Sequence, residues 1–302
     1  MLSFVPKTIV GLLTLAVFST GAMLNRAHAD LTLYGTAFSS DPFDVNQNSS
    51  KLYNINYTNG APTLIGDIGF RLVGGIAFDA NGTLFGVGET LTAGGPPPEG
   101  NLVLITINRT TGVGTAVGGL GVQRNFQDIA FRNSDGALYA YASGEVYTIN
   151  KSSGAATFVG NTGEAEIGGG LAFSATDTLY KAGFDHLYEV DHTTGAGAAT
   201  LQLGYPTGGT PNVTGLDYDY YSSPTAILWA SVHTDATSDS PAYLAKIDTV
   251  TGLITQIGGL SIQGFTGLAA IPEPSSFGVL AGVGLVAIVM MSRVRRRGAV
   301  EA

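Results

Sequence analysis

The chain has 302 residues, with 14 Lys and Arg against 23 Asp and Glu for a net charge of −9, 43 glycines and no cysteine. This balance excludes the basic footprint that nucleic acid requires, and the missing cysteines exclude disulfides, so stability must come from a proper core. Abundant glycine with few charges points to short strands joined by tight turns.

Lys7 supplies a positive n-region, Ile9 to Phe18 an apolar h-region, and Ala27-His28-Ala29 an A-x-A cleavage site. The pattern reads as a secretory signal peptide over residues 1–29, cut before Asp30, with the Sec export machinery as its partner. The apolar run is too short for a comfortable membrane span.

From residue 30 a four-strand unit recurs. Its first strand reads Gly75-Ile76-Ala77-Phe78, Asp128-Ile129-Ala130-Phe131, Gly170-Leu171-Ala172-Phe173, Gly215-Leu216-Asp217-Tyr218 and Gly267-Leu268-Ala269-Ala270. Second strands such as Thr83 to Val87, third strands such as Leu104 to Ile107, and fourth strands such as Thr115 to Gly118 and Thr200 to Gly204 follow in order, each fourth strand running from Thr to Gly. Glycines 60, 112, 154, 195 and 252 end the turn between third and fourth strands, where short hairpin loops demand a positive φ. The first strands start at 75, 128, 170, 215 and 267, a mean spacing of 48 residues, and four strands at this period is blade arithmetic.

The segment opens at Leu31 on a second strand and ends at Ala270 on a first strand, so the last strand can complete the first blade. Residues 30–270 therefore resemble an all-β β-propeller of five four-stranded blades with shared-blade closure. A β-solenoid is the alternative, disfavoured by the hairpin turns.

Three inserts depart from the repeat: Thr90 to Gly100, Tyr205 to Thr214 and Ser231 to Ala242. Loops on a rigid scaffold are natural places for a binding site. Asp217 and Asp219 alternate along a strand, share a face and could meet a cation such as Ca²⁺; His233 and Asp235 form a second polar group in the third insert. A Ca²⁺ loop needs more oxygen ligands and a sharp glycine turn, so packed Tyr beside solvated Asp is the favoured reading and no metal site is assigned. Asp79, Asp128 and Asp217, near the ends of first strands, could line a funnel, but no signature selects a catalytic pair. Nucleophile elbows, Walker loops and His-Glu-x-x-His arrays are absent, so no catalytic residue or cofactor is expected.

The chain ends on Pro272-Glu273-Pro274, an uncharged apolar run within 277–292, and Arg293, Arg295, Arg296 and Arg297. The run reads as a transmembrane helix, short for a span, with the arginines holding its end on the cytoplasmic side. Residues 271–302 resemble the PEP-CTERM sorting signal of exported proteins in Gram-negative bacteria. The resemblance implies processing near Pro272-Glu273-Pro274 by exosortase, a membrane protease, and an association with extracellular polysaccharide or biofilm matrix. Between the two ends, residues 30–274 carry 8 basic and 22 acidic side chains, a net −14. The expectation is an exported, non-enzymatic cell-surface protein; the alternative is an envelope glycosidase or lactonase with acids in the propeller mouth.

Overall fold

The computed structural model describes residues 31–38, 49–91, 102–163, 169–206, 211–219, 227–235 and 240–272. Ala27, Ala29, Glu273, Pro274, the apolar run 277–292 and the four terminal arginines lie outside them. Among the described residues no helix is long and apolar enough to cross a membrane.

Twenty strands follow one another: β1 (Leu31–Ala37), β2 (Lys51–Ile55), β3 (Pro62–Asp67), β4 (Phe70–Phe78), β5 (Leu84–Thr90), β6 (Leu102–Ile107), β7 (Gly114–Gly119), β8 (Asp128–Phe131), β9 (Leu138–Ala142) and β10 (Glu145–Ile149). The second half holds β11 (Ala156–Asn161), β12 (Leu171–Phe173), β13 (Leu179–Ala182), β14 (His186–Val190), β15 (Gly197–Gln202), β16 (Asn212–Asp219), β17 (Ile227–His233), β18 (Ala242–Ile247), β19 (Ile254–Gly259) and β20 (Phe265–Pro272). They form five four-stranded antiparallel sheets: β20-β1-β2-β3, β4-β5-β6-β7, β8-β9-β10-β11, β12-β13-β14-β15 and β16-β17-β18-β19. The sheets stand as the blades of a propeller, with β20, β4, β8, β12 and β16 innermost. Inner strands are buried along nearly their whole length, as β8 shows, while outer strands such as β7 are largely exposed.

Closure is as the chain order requires. β20 pairs antiparallel with β1 from Leu31↔Pro272 to Ala37↔Phe265, so the first blade is built from both ends of the described chain. This pairing removes an open edge that would otherwise face a gap in the ring.

The turns between third and fourth strands share one device. In the second blade Asn108 Oδ1 accepts the N–H groups of Thr110 and Thr111 at 2.9 and 3.1 Å, and Gly112 follows at φ 82°. An Asx turn followed by a left-handed residue explains the Asn/Asp-x-x-x-Gly spacing. Each such turn packs on the outer strand of the preceding blade. A Cβ on Gly66 would meet the Thr111 carbonyl oxygen at 2.2 Å, one on Gly160 the Thr194 oxygen at 1.8 Å, and one on Gly258 the Asn59 oxygen at 1.8 Å across the closing seam. At these seams the turn approaches so closely because the outer strand has no side chain there.

The fourth blade departs from expectation. Its outer strand ends at Gln202, and the register Leu187↔Leu201 puts Leu201 where the other blades carry this glycine. Gly204 lies one residue beyond the equivalent of the bridging residue elsewhere and forms an isolated parallel bridge with Leu253. The sequence places that glycine in the strand because a Thr-to-Gly spacing was matched across an extra residue.

Between blades the core is aromatic. An inner-strand ring of one blade packs on a second-strand ring of the preceding blade. The pairs are Phe78 with Tyr34, Phe131 with Phe85, Phe173 with Tyr139 and Tyr218 with Tyr180, at centroid distances of 5.5, 5.4, 5.2 and 6.3 Å. At the closing seam the inner strand offers only Ala270, and the second strand answers with buried Trp229, the single tryptophan.

Candidate functional site: the axial cavity

The inner strands turn one edge toward the propeller axis, and their edge N–H groups need partners there. Four of the five blades carry glycine where these strands converge: Gly75, Gly170, Gly215 and Gly267. A Cβ on Gly75, Gly170 or Gly215 would come within about 2.5 Å of a neighbouring inner strand, and one on Gly267 would lie 2.5 Å from Thr36 Oγ1 on the next strand of its own blade. The fifth position is Asp128, fully buried. Its carboxyl group accepts the N–H of Leu171 at 2.8 Å, of Leu216 at 3.1 Å and of its own neighbour Ile129 at 2.9 Å, tying three blades together. Burial lifts this carboxyl well above the usual range, against the pull of its three N–H donors. The axis has room for one side chain, and that side chain satisfies the strand edges around it.

Two residues further along the repeat, where other blades have Ala77, Ala130, Ala172 and Ala269, the fifth blade has Asp217. Its Oδ1 accepts Tyr218 N–H at 2.7 Å and its Oδ2 accepts Ala270 N–H at 2.5 Å. Removal from water pushes its carboxyl up to about 7, with Asp219 adding to the rise and the two N–H donors opposing it. What exposure Asp217 retains is to a cavity of about 500 Å³ at the mouth of the axis.

The cavity opens on the face that carries the turns between first and second strands. Phe78, Phe131, Phe173 and Tyr218 contribute its apolar wall, and Asp79, Asn81, Arg109 and Arg132 its polar rim. Arg132 is engaged: its Nε donates to Asp135 Oδ1 at 2.9 Å and its guanidinium lies over Tyr139. Asp79 is engaged too, accepting Asn81 N–H at 3.0 Å and Thr83 N–H at 2.9 Å in its own turn. Arg109 is exposed and has no ion-pair partner among the described residues. The mouth thus combines aromatic surface, a carboxyl group poised near neutrality and one uncommitted guanidinium.

No protein-family model matches the chain, and no curated protein matches it. Among solved structures it is similar to a chain of the nidogen–laminin complex, at a TM-score of 0.49 and 10% identity over 81% of this chain and 99% of that one. A likeness of this size carries no functional argument. The five-bladed ring rests on its own strand order.

The candidates from sequence separate into two places. Asp79 and Asp217 line the cavity, with Asp128 buried on the axis beside Asp217. Asp217 and Asp219 interact, yet both Asp217 oxygens are already occupied by backbone N–H groups. Among the described residues no three acidic, His or Cys side chains gather as a metal site would require. His233 and Asp235 lie at the other end of the fifth blade, where β17 leaves toward β18. His233 is fully buried there, with Nδ1 at 3.0 Å from the Ser240 carbonyl and Nε2 at 2.5 Å from the Phe265 carbonyl. The three inserts also depart from and return to that opposite face.

Sequence reasoning missed Arg109 and Arg132, which sit in repeat turns and look like ordinary solvated charges. Asp128 and Asp217, already singled out as funnel candidates, are also the two departures in their repeat columns, Asp128 replacing Gly and Asp217 replacing Ala.

Proposed function

We propose that this protein is exported, sorted through its C-terminal segment by an exosortase-type membrane protease, and serves at the cell surface as a non-enzymatic binding or structural component of the exopolysaccharide matrix. The supporting observation is the pairing of Leu31 with Pro272. Pro272 is at once the last residue of the closing strand and the first of the Pro-Glu-Pro motif. A leader removed before residue 30 and a tail removed near 274 would leave every blade pairing in place. An acidic ring whose first and last strands are paired offers no open edge there for a neighbouring chain to add to.

The intact mass of the protein from cell surface and medium tests the sorting. A species starting at Asp30 and ending near Pro274 supports it; a species retaining Phe277 to Ala302 makes the tail a permanent anchor and sinks the processing step. Saturable binding to isolated exopolysaccharide tests the role.

A hydrolase is the second reading, favoured by the Asp217 carboxyl, held up to about 7 in the mouth near Asp79. Both acids spend oxygens on backbone N–H groups, which favours binding over proton transfer. Turnover of glycosides that is lost in Asp217→Asn would reverse that preference.

A further inference from the structure

The polar groups at the mouth are not equivalent, and their differences define a ligand. Arg132 is held by Asp135 and Asp79 by its own turn. Arg109, on the turn after β6, faces the same cavity without an ionic partner among the described residues. In a segment carrying a net −14, a guanidinium left at a cavity mouth is a local exception, suited to one anionic group and to bidentate contact with a carboxylate. Asn81 is exposed at the rim, its amide nitrogen 3.3 Å from Asp79 Oδ2, and Asp217 sits at the floor, where each carboxyl oxygen accepts one N–H and keeps a second acceptor site for a hydroxyl group. Phe78 and Tyr218 are only half-buried, so each leaves ring surface to the cavity. The volume, about 500 Å³, lies within the range of small-ligand pockets, roughly 300–1,000 Å³.

We propose that the axial cavity binds a uronic-acid-type sugar residue, its carboxylate on Arg109, its hydroxyls toward Asn81 and Asp217, and the apolar face of its ring against Phe78 and Tyr218. This rests on the matrix-binding reading and narrows it to acidic polysaccharide.

The experiment is a calorimetric titration of the full chain, in mild detergent, with galacturonate and its disaccharide against galactose. Saturable binding of the acids, at least about tenfold tighter than galactose, is expected, because the carboxylate–guanidinium contact is charge-assisted. Arg109→Gln should erase that preference while leaving the melting temperature unchanged, since the side chain is exposed. Asn81→Ala should weaken acid and neutral sugar alike. Equal affinity for acid and neutral sugar, an unaltered preference in Arg109→Gln, or no binding of either acid at millimolar concentration would each overturn the proposal. Retained binding of Arg109→Gln to whole exopolysaccharide would sink the cavity assignment alone, whereas failure of the wild-type chain to bind whole exopolysaccharide would sink the matrix reading itself.

Discussion

Nε2 of His233 donates to the carbonyl oxygen of Phe265 at 2.5 Å, joining the fifth blade to the strand that completes the first. Thr214 Oγ1 donates to the same oxygen at 3.2 Å, and Asp217 accepts from Ala270 further along that strand. The seam needs these side chains. Elsewhere a backbone N–H at the start of an outer strand bridges to the preceding blade: Gly114 to Ile68, Ala156 to Leu120 and Gly197 to Thr162, at 2.8, 2.9 and 3.0 Å. At the closing seam the equivalent residue is Pro62, which has no N–H to give.

Replacing His233 by Ala should therefore loosen the ring where it is least tied by backbone. The buried Phe265 carbonyl would lose its Nε2–H partner, and the Ser240 hydroxyl its contact with Nδ1, at a cost of about 1–3 kcal/mol. Chemical denaturation should show that loss, and hydrogen exchange should speed up first in β20. A variant as stable as the parent would mean that water replaces the ring without penalty.

The pH dependence of stability should carry the mark of Asp217. Its carboxyl titrates at about 7 when folded and at the ordinary 3.8 when unfolded. The folded state therefore keeps a proton that the unfolded chain releases. This contribution is fully present below about pH 4 and is lost as pH rises through about 7. Buried Asp128 acts in the same direction. Stability should fall between pH 5 and pH 8 by an amount on the order of 2 kcal/mol from Asp217, and the melting temperature should fall with it. Asp217→Asn should flatten that fall, while losing stability at pH 5 because an amide nitrogen cannot accept one of the two N–H groups. A variant with the parent's pH slope would exclude Asp217 as its origin.

Trp229 and Ala270 make a size-matched pair where the other seams use two mid-sized rings. Ala270→Phe should overpack the seam and cost about 1–3 kcal/mol. Adding Trp229→Tyr should recover part of that loss, since Tyr against Phe is the pairing at the seam of Tyr139 and Phe173. Additive losses in the double variant would argue that the two positions do not share one space.

Adjacent glycines in the last outer strand give an internal control. A Cβ on Gly258 would lie 1.8 Å from the Asn59 oxygen, whereas one on Gly259 meets nothing within 4 Å. Gly258→Ala should lower the melting temperature by several degrees, and Gly259→Ala should leave it nearly unchanged. Equal effects would show that the seam can open at little cost.

Much of this architecture was legible because a repeat displays its own alignment. The turn glycines 60, 112, 154, 195 and 252 all have φ between 74° and 82°, as their spacing implied. Strand order and closure followed from which strand came first and which came last. Blade four was misread at its outer edge because a glycine three residues late fitted the spacing and Leu201 did not. The site was half legible. Asp217 was legible as an acid sharing a strand face with Asp219 and expected to be solvated; its burial was not legible, and its two N–H donors and its neighbours Arg109 and Arg132 come from four different blades. Linear spacing carries no information about which turns meet around an axis.

The pairing of Leu31 with Pro272 has a directional consequence. Ala270 and Ile271 belong to the cavity wall, so whatever continues the chain beyond 272 starts beside the opening. A molecule held to a surface through that continuation would carry its tether on the same face as its opening, so a ligand would enter from the tethered side.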